Sequence, residues 1–264
     1  MTDDAVDGKA GALESVAARA LRLLDLTSLG DGDTDTTVAA LCKRATLAPA
    51  PIAAVCIWPR FIALAGSILE DSGVRIAAVA NFPAGGDDIA AAARETEDIV
   101  SQGADEVDLV MPYARWLAGD VAVARDMIAA CKEICGEDVL LKVILETGRL
   151  REPAKIHAAS RDAIAAGADF VKTSTGKIEV SATLEAAEAM LRAIKESGRD
   201  VGFKAAGGIR DTATAAAYLD LADRIMGPGW ADPRHFRFGA SGLLDDLLAR
   251  LGGEAGRPGT AGSY

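Results

Sequence analysis

The chain has 264 residues, half of them hydrophobic and a quarter charged, with a formal net charge of −11. That length suits one domain with a large core, and the acidic balance argues against nucleic acid or an anionic membrane as a partner, since both attract basic faces. No apolar run approaches the roughly 18 residues of a membrane span. The opening MTDDAVDGKA is acidic and polar, unlike a secretory leader. The four cysteines, Cys42, Cys56, Cys131 and Cys135, lack pair-plus-pair zinc spacing and read as core thiols, so a reducing cytoplasm is the expected location.

In chain order, residues 1–10 are expected to be mobile, and Leu13–Leu23 forms a helix ahead of a first strand at Leu23–Thr27. An extra helical segment, Thr34–Thr46, precedes strands at Ala53–Trp58 and Arg75–Asn81. The helix Asp87–Gln102 places Ile89, Ala93 and Val100 on one face, and a strand follows at Glu106–Met111. Gly119–Ile134 repeats the helical pattern through Val121, Ala124, Ile128 and Cys131. Strands at Val139–Glu146 and Asp169–Ser174 come next, then a helix carrying Leu184, Ala187, Leu191 and Ile194, then strands at Val201–Ala205 and Arg237–Ala240. Gly103, Gly136, Gly167 and Gly198 stand where helices should stop. Eight strands alternating with helices predict an α/β fold, a single (β/α)8 TIM barrel over residues 11–251 with an extra N-terminal helical segment. The tail Gly252–Tyr264 is too rich in small residues to bury much apolar surface and is expected to be flexible.

The informative residues are charges inside these apolar strands. Lys142 interrupts VLLKVILE, Lys172 ends the apolar part of FVKTSTG, Lys204 holds the same place in VGFKAAGG, and Asp108 is lodged in EVDLVM. An unpaired charge in such a setting costs several kcal/mol. One such lysine reads as a snorkelling side chain or a structural ion pair. Four such residues on four strands read as a site, because period-two alternation aims them into the barrel near its C-terminal mouth. Neighbouring ammonium groups repel, and burial adds to the pressure to lose a proton. A lysine lowered by ~3 units would be about one-third neutral at pH 7, and a neutral amine attacks a carbonyl to form an iminium. Lys172 and Lys204 are thus a nucleophile and its tuning partner, with Asp108 carrying protons.

Glycine-rich loops after the last two strands supply anion donors: Gly207, Gly208 and Arg210 after Lys204, and Gly239 with Ser241 before the final helix. Thr175, Gly176 and Lys177 after the sixth strand can add to them.

The motifs LLDLTSL (Leu23–Leu29), CIWPRF (Cys56–Phe61), NFPAG (Asn81–Gly85), GADEVDLV (Gly103–Val110), LLKVILETG (Leu140–Gly148), ADFVKTSTGK (Ala168–Lys177), VGFKAAGGIR (Val201–Arg210) and FRFGAS (Phe236–Ser241) together resemble the deoxyribose-phosphate aldolase family. The resemblance implies a Schiff-base, metal-independent aldolase without a cofactor, which cleaves 2-deoxy-D-ribose 5-phosphate reversibly to D-glyceraldehyde 3-phosphate and acetaldehyde. It implies Lys172 as the imine-forming lysine and Asp108 with Lys204 as the proton-transfer pair. It also implies supporting roles for Asp25, Thr27, Cys56 and Lys142, a terminal Tyr264 able to fold over the site, and a homodimer. Two departures stand out: Ala205 replaces a common proline, and Gly242 replaces a common serine.

Three alternatives remain at this level. Metal-dependent aldol chemistry finds little support in a chain with two histidines, His157 and His235. Another Schiff-base barrel, transaldolase-like or a hexose-bisphosphate aldolase, would share the lysine logic without these motifs. A non-catalytic sugar-phosphate-binding barrel would have no need of Lys172, Lys204 and Asp108 together.

Overall fold

A computed structural model describes residues 3–252. Eight strands alternate with helices and close on themselves in the order in which they occur in the chain. They are β1 (Leu24–Thr27), β2 (Ala54–Ile57), β3 (Arg75–Ala80), β4 (Glu106–Val110), β5 (Leu140–Ile144), β6 (Phe170–Lys172), β7 (Gly202–Ala206) and β8 (Phe236–Ala240). Every neighbouring pair is parallel, and β8 returns to β1, so no strand edge is left unpaired. This is the (β/α)8 barrel expected from the alternation, with each strand within a few residues of its predicted span. The largest shortfalls are β5 and β6, each shorter by one residue at its start and two at its end; β6 ends at Lys172 and releases Thr173–Gly176 to form the loop above it.

The two faces of each strand meet different surroundings. On β4, Val107 and Leu109 point outward into the layer between strands and helices, while Glu106 and Asp108 point into the barrel. The outer layer is a continuous apolar core of Ala, Val, Ile and Leu with few aromatics, which lets the helix ring lie close to the strands. Caps set where several helices begin. Thr34 and Thr37 form a reciprocal capping box for Asp35–Thr46, and Asp88, Thr183 and Asp211 accept from backbone N–H groups in the first turns of Ile89–Ser101, Leu184–Ser197 and Thr212–Met226. The four glycines predicted to end helices all adopt positive φ.

The helix expected over Leu13–Leu23 begins ten residues earlier, at Asp3, and ends at Arg22. It lies against Thr212–Met226 and Leu243–Arg250, and Arg19 holds Asp223 through two contacts of 2.6 and 2.7 Å. All four cysteines are buried free thiols. Among the described residues, no helix is long and apolar enough to cross a membrane.

Candidate active site

The interior of the barrel is ionic. Asp25, Glu106, Asp108, Lys142, Lys172, Lys204 and Arg237 come from six strands and are almost completely buried. Parallel register explains their meeting. Asp108 is the register partner of Lys142, Lys172 of Lys204, and Lys204 of Arg237. Residues level with one another on neighbouring strands therefore share the barrel axis. Thr173 adds a local lock: its hydroxyl donates to the Ala206 carbonyl at 3.1 Å and accepts from the Ala206 N–H at 3.0 Å, which holds the top of β6 against β7.

Asp108 is the junction. Its Oδ1 accepts from Lys142 Nζ at 2.9 Å, and its Oδ2 accepts from Lys172 Nζ at 2.7 Å and Lys204 Nζ at 2.8 Å. The Cys56 thiol lies 3.7 Å from the same Oδ2. Lys204 also pairs with Asp25 Oδ2 at 2.5 Å, an ion pair without hydrogen-bond geometry. Lys142 also contacts Glu106 closely and lies 4.0 Å from Asp25. Arg237 reaches Asp25 at 2.7 Å and Glu106 at 2.8 and 3.2 Å. Four cations thus meet three carboxylates directly. Lys172 contacts one of the three carboxylates, whereas Lys142 lies within 4.0 Å of all three and Lys204 and Arg237 pair with two each.

The electrostatics follow from this pairing. Burial opposes the charged form of every member. Even so, Asp108 is held well below the usual carboxylate range by Lys142, Lys172 and Lys204. Asp25 is lowered by Lys204, Arg237 and Lys142, and Glu106 by Lys142 and Arg237, again against the larger effect of burial. Burial also pushes Lys204 and Lys142 down, but Asp108 with Asp25, and Asp108 with Glu106, override it and leave both lysines raised. For Lys204 this corrects the picture of two mutually repelling ammonium groups: shared carboxylates outweigh the repulsion. Burial raises the Cys56 thiol, so it is a compact neutral wall beside Asp108.

Small residues make this packing possible. A β-carbon at Gly239 would come within 3.0 Å of Lys204 Cε and 2.9 Å of Ala206 Cβ, so the glycine in FRFGAS makes room for the lysine. At Gly202 it would meet the Phe170 ring at 2.3 Å, and that ring floors the cluster with the Arg237 guanidinium 5.6 Å from its centre.

Around the mouth, the predicted residues divide into groups. Gly207 and Gly208 both have positive φ, and the Gly207 N–H reaches the Gly239 carbonyl at 3.4 Å, so the two glycine loops adjoin. The space above Gly208 is open, Arg210 is exposed, and Ser241 precedes the helix Leu243–Arg250. Three others are engaged within the protein. The Thr27 hydroxyl donates to the Asp25 carbonyl at 2.8 Å. Lys177 Nζ donates to the Leu29 carbonyl at 2.6 Å, which ties the loop after β6 to the loop after β1. The Thr175 hydroxyl, expected to serve an anion, instead donates to Glu146 at 2.6 Å. Gly176, with φ of 77°, turns the chain between these two ties. Tyr264 lies outside the described residues.

Glu106, Arg237 and Glu146 are site residues that the sequence reading did not name. Glu146 is buried in a left-handed conformation, accepts from the Thr175 N–H and hydroxyl, and has its carboxyl raised by burial despite those bonds and Lys172 nearby. A non-glycine residue in that conformation stores strain. The adjacent Thr147 hydroxyl and the Ser174 hydroxyl are buried without a partner among the described residues, and a polar ligand at this position would satisfy them. Among the described residues, no group of three or more His, Cys, Asp or Glu side chains is placed to hold a metal ion.

A closed parallel barrel whose axis carries an aspartate shared by three lysines has the layout of a lysine-dependent aldolase. The profile of the DeoC/LacD aldolase family matches residues 17–244, and the chain belongs to that family. A Toxoplasma gondii protein provisionally assigned as a deoxyribose-phosphate aldolase superposes with a TM-score of 0.85 at 26% identity, over 92% of this chain and 97% of that one. An aldolase called QR15 gives a TM-score of 0.75 at 25% identity, over 88% and 96%. The deoxyribose phosphate aldolase of Aeropyrum pernix, a tetramer, shares the fold at 22% identity, with a TM-score of 0.71 over 90% and 92%.

Proposed function

We propose that the chain is a deoxyribose-phosphate aldolase that cleaves 2-deoxy-D-ribose 5-phosphate reversibly to D-glyceraldehyde 3-phosphate and acetaldehyde through a Schiff base on Lys172. The supporting observation is the Asp108 junction, where one carboxylate accepts from Lys142, Lys172 and Lys204. Positive charge is in surplus in this cluster and is least compensated at Lys172, which we take as the group that reacts as a free amine. Asp108 is the immediate destination for its proton, and Lys204, held cationic by Asp25 and Asp108, returns protons along the same contacts.

The free amine adds to the C1 aldehyde of the open-chain sugar phosphate, and loss of water from the carbinolamine gives an iminium. Electrons of the C2–C3 bond flow into that iminium as the C3 hydroxyl loses its proton. Glyceraldehyde 3-phosphate leaves with C3 as its new aldehyde carbon, and the lysine retains C1 and C2 as an enamine of acetaldehyde. Protonation of the enamine carbon and hydrolysis release acetaldehyde. The loops of Gly207, Gly208 and Arg210 and of Gly239 and Ser241 anchor the phosphate, fixing the reacting carbons over Lys172 and removing much of the entropic barrier. Lys142, fully paired, keeps Asp108 ionised.

Incubation with 2-deoxy-D-ribose 5-phosphate in the presence of EDTA should release both aldehydes in equal amounts. In the reverse direction, acetaldehyde should serve as donor in preference to dihydroxyacetone phosphate. Complete loss of turnover with EDTA would contradict the metal-independent mechanism, and preference for dihydroxyacetone phosphate would move the chain to another Schiff-base aldolase class.

A further inference from the structure

A cavity of about 640 Å³ opens at the other end of the barrel, beneath the N-terminal ends of the strands. Four arginines line it. Arg22 closes the first helix, Arg75 opens β3, Arg234 precedes β8 and Arg237 lies within it. The aldol chemistry uses none of the first three. Two aspartates also line the cavity, each with a partner within the protein. Asp169 pairs with Lys132 and accepts from the Leu141 N–H, each at 2.7 Å, and Asp200 lies 2.7 Å from His235 Nε2.

The arginines at the rim have donors to spare. Arg75 reaches Glu106 only at 3.8 Å, and Arg234 reaches Asp232 at 3.3 Å. Arg22 has no ion-pair partner among the described residues. The buried Arg237 spends four of its five N–H donors on Pro233, Asp25 and Glu106, so it contributes charge to the floor more than contacts. A ring of guanidinium groups around one hollow is unusual in a chain of net charge −11. Their planar forks suit phosphate or carboxylate oxygens, and the volume lies in the range of small-molecule sites. Pro51, Ile52 and Phe170 add an apolar wall that an organic skeleton can cover.

We propose that this cavity is a second ligand site, which binds a small organic polyanion, a phosphate ester or a polycarboxylate, through Arg22, Arg75 and Arg234. It adjoins the lysine cluster, because Arg237 on its floor holds Asp25 and Glu106, which in turn hold Lys204 and Lys142. The site does not depend on which aldol reaction the barrel performs.

Calorimetric titration of the full chain with pyrophosphate and with citrate, at fixed ionic strength, tests the proposal. At least one should bind, the tighter one assigning the ligand class. The exposed pair R22Q/R234Q should lose at least about tenfold in affinity while keeping the unliganded thermal midpoint. Arg210→Gln, at the other mouth, should leave the affinity unchanged. The proposal is overturned if neither anion binds, if R22Q/R234Q binds like the parent, or if Arg210→Gln is the variant that loses binding.

Discussion

Asp108 and Leu109 are neighbours on β4, both fully buried, and belong to opposite kinds of interior. Leu109 faces the strand–helix layer, where burial of apolar surface drives folding. Asp108 faces the barrel axis, where burial works against every charged side chain and only mutual pairing compensates it. The outer layer holds the barrel closed, and the axis uses that rigidity to keep seven ionisable groups at contact distance. Stability and chemistry are separated by one step along a strand.

Substitutions can sharpen this contrast. The largest effect on turnover is expected for Lys172→Arg, which retains a positive charge and cannot form the imine. Deoxyribose-phosphate cleavage should fall by several orders of magnitude with the fold intact by circular dichroism. Retained turnover would place the nucleophile elsewhere. Asp108→Asn should lower both properties: removing the shared carboxylate leaves buried cations uncompensated, at a cost of about 3–5 kcal/mol in urea unfolding, and breaks the proton path. Leu109→Ala should cost a similar ~2–5 kcal/mol through the cavity it leaves, yet keep the turnover of the folded fraction. Equal catalytic losses in these last two variants would erase the distinction between the layers.

The acid limb of stability is a further measure. Asp25, Glu106 and Asp108 have folded pKa values below their unfolded ones, so the unfolded chain binds more protons as acid is added. Their contribution is fully present above the unfolded range near pH 4 and is lost as pH falls through the folded values. The urea midpoint should therefore fall steeply below about pH 4, and less steeply in Asp108→Asn. The smallest effect concerns Glu146, whose carboxyl is raised by burial. Its ionised form is disfavoured in the fold, so the penalty grows as pH rises above the unfolded value. Glu146→Gln should match or slightly exceed the parent's stability at neutral pH while turnover falls severalfold, because the Thr175 loop above Lys172 loses one of its two ties. Unchanged kinetics would reduce Glu146 to a structural strut.

The eight strands were legible because helical period and short apolar runs alternate without interruption, and Lys142, Lys172, Lys204 and Asp108 because each breaks an apolar run. The same rule, applied at strand ends, reaches Glu106 and Arg237: Glu106 is two residues from Asp108 and shares its face, and Arg237 sits within FRFGAS as Lys204 sits within GFKAAGG. Asp25 entered only through family resemblance, since four-residue β1 offers too short an apolar run for one charge to stand out. Other features are three-dimensional. That the carboxylates outweigh lysine–lysine repulsion depends on distances across the barrel, and the tie between Thr175 and Glu146 depends on a left-handed turn that no local motif marks. The arginine-lined cavity gathers residues from seven separate segments.

The most direct test of the central claim is borohydride trapping with acetaldehyde, followed by peptide mass spectrometry. An irreversible adduct confined to the peptide carrying Lys172, and abolished in Lys172→Arg, is the predicted result. An adduct on Lys204 or Lys142 instead, or none on the folded protein, would contradict it.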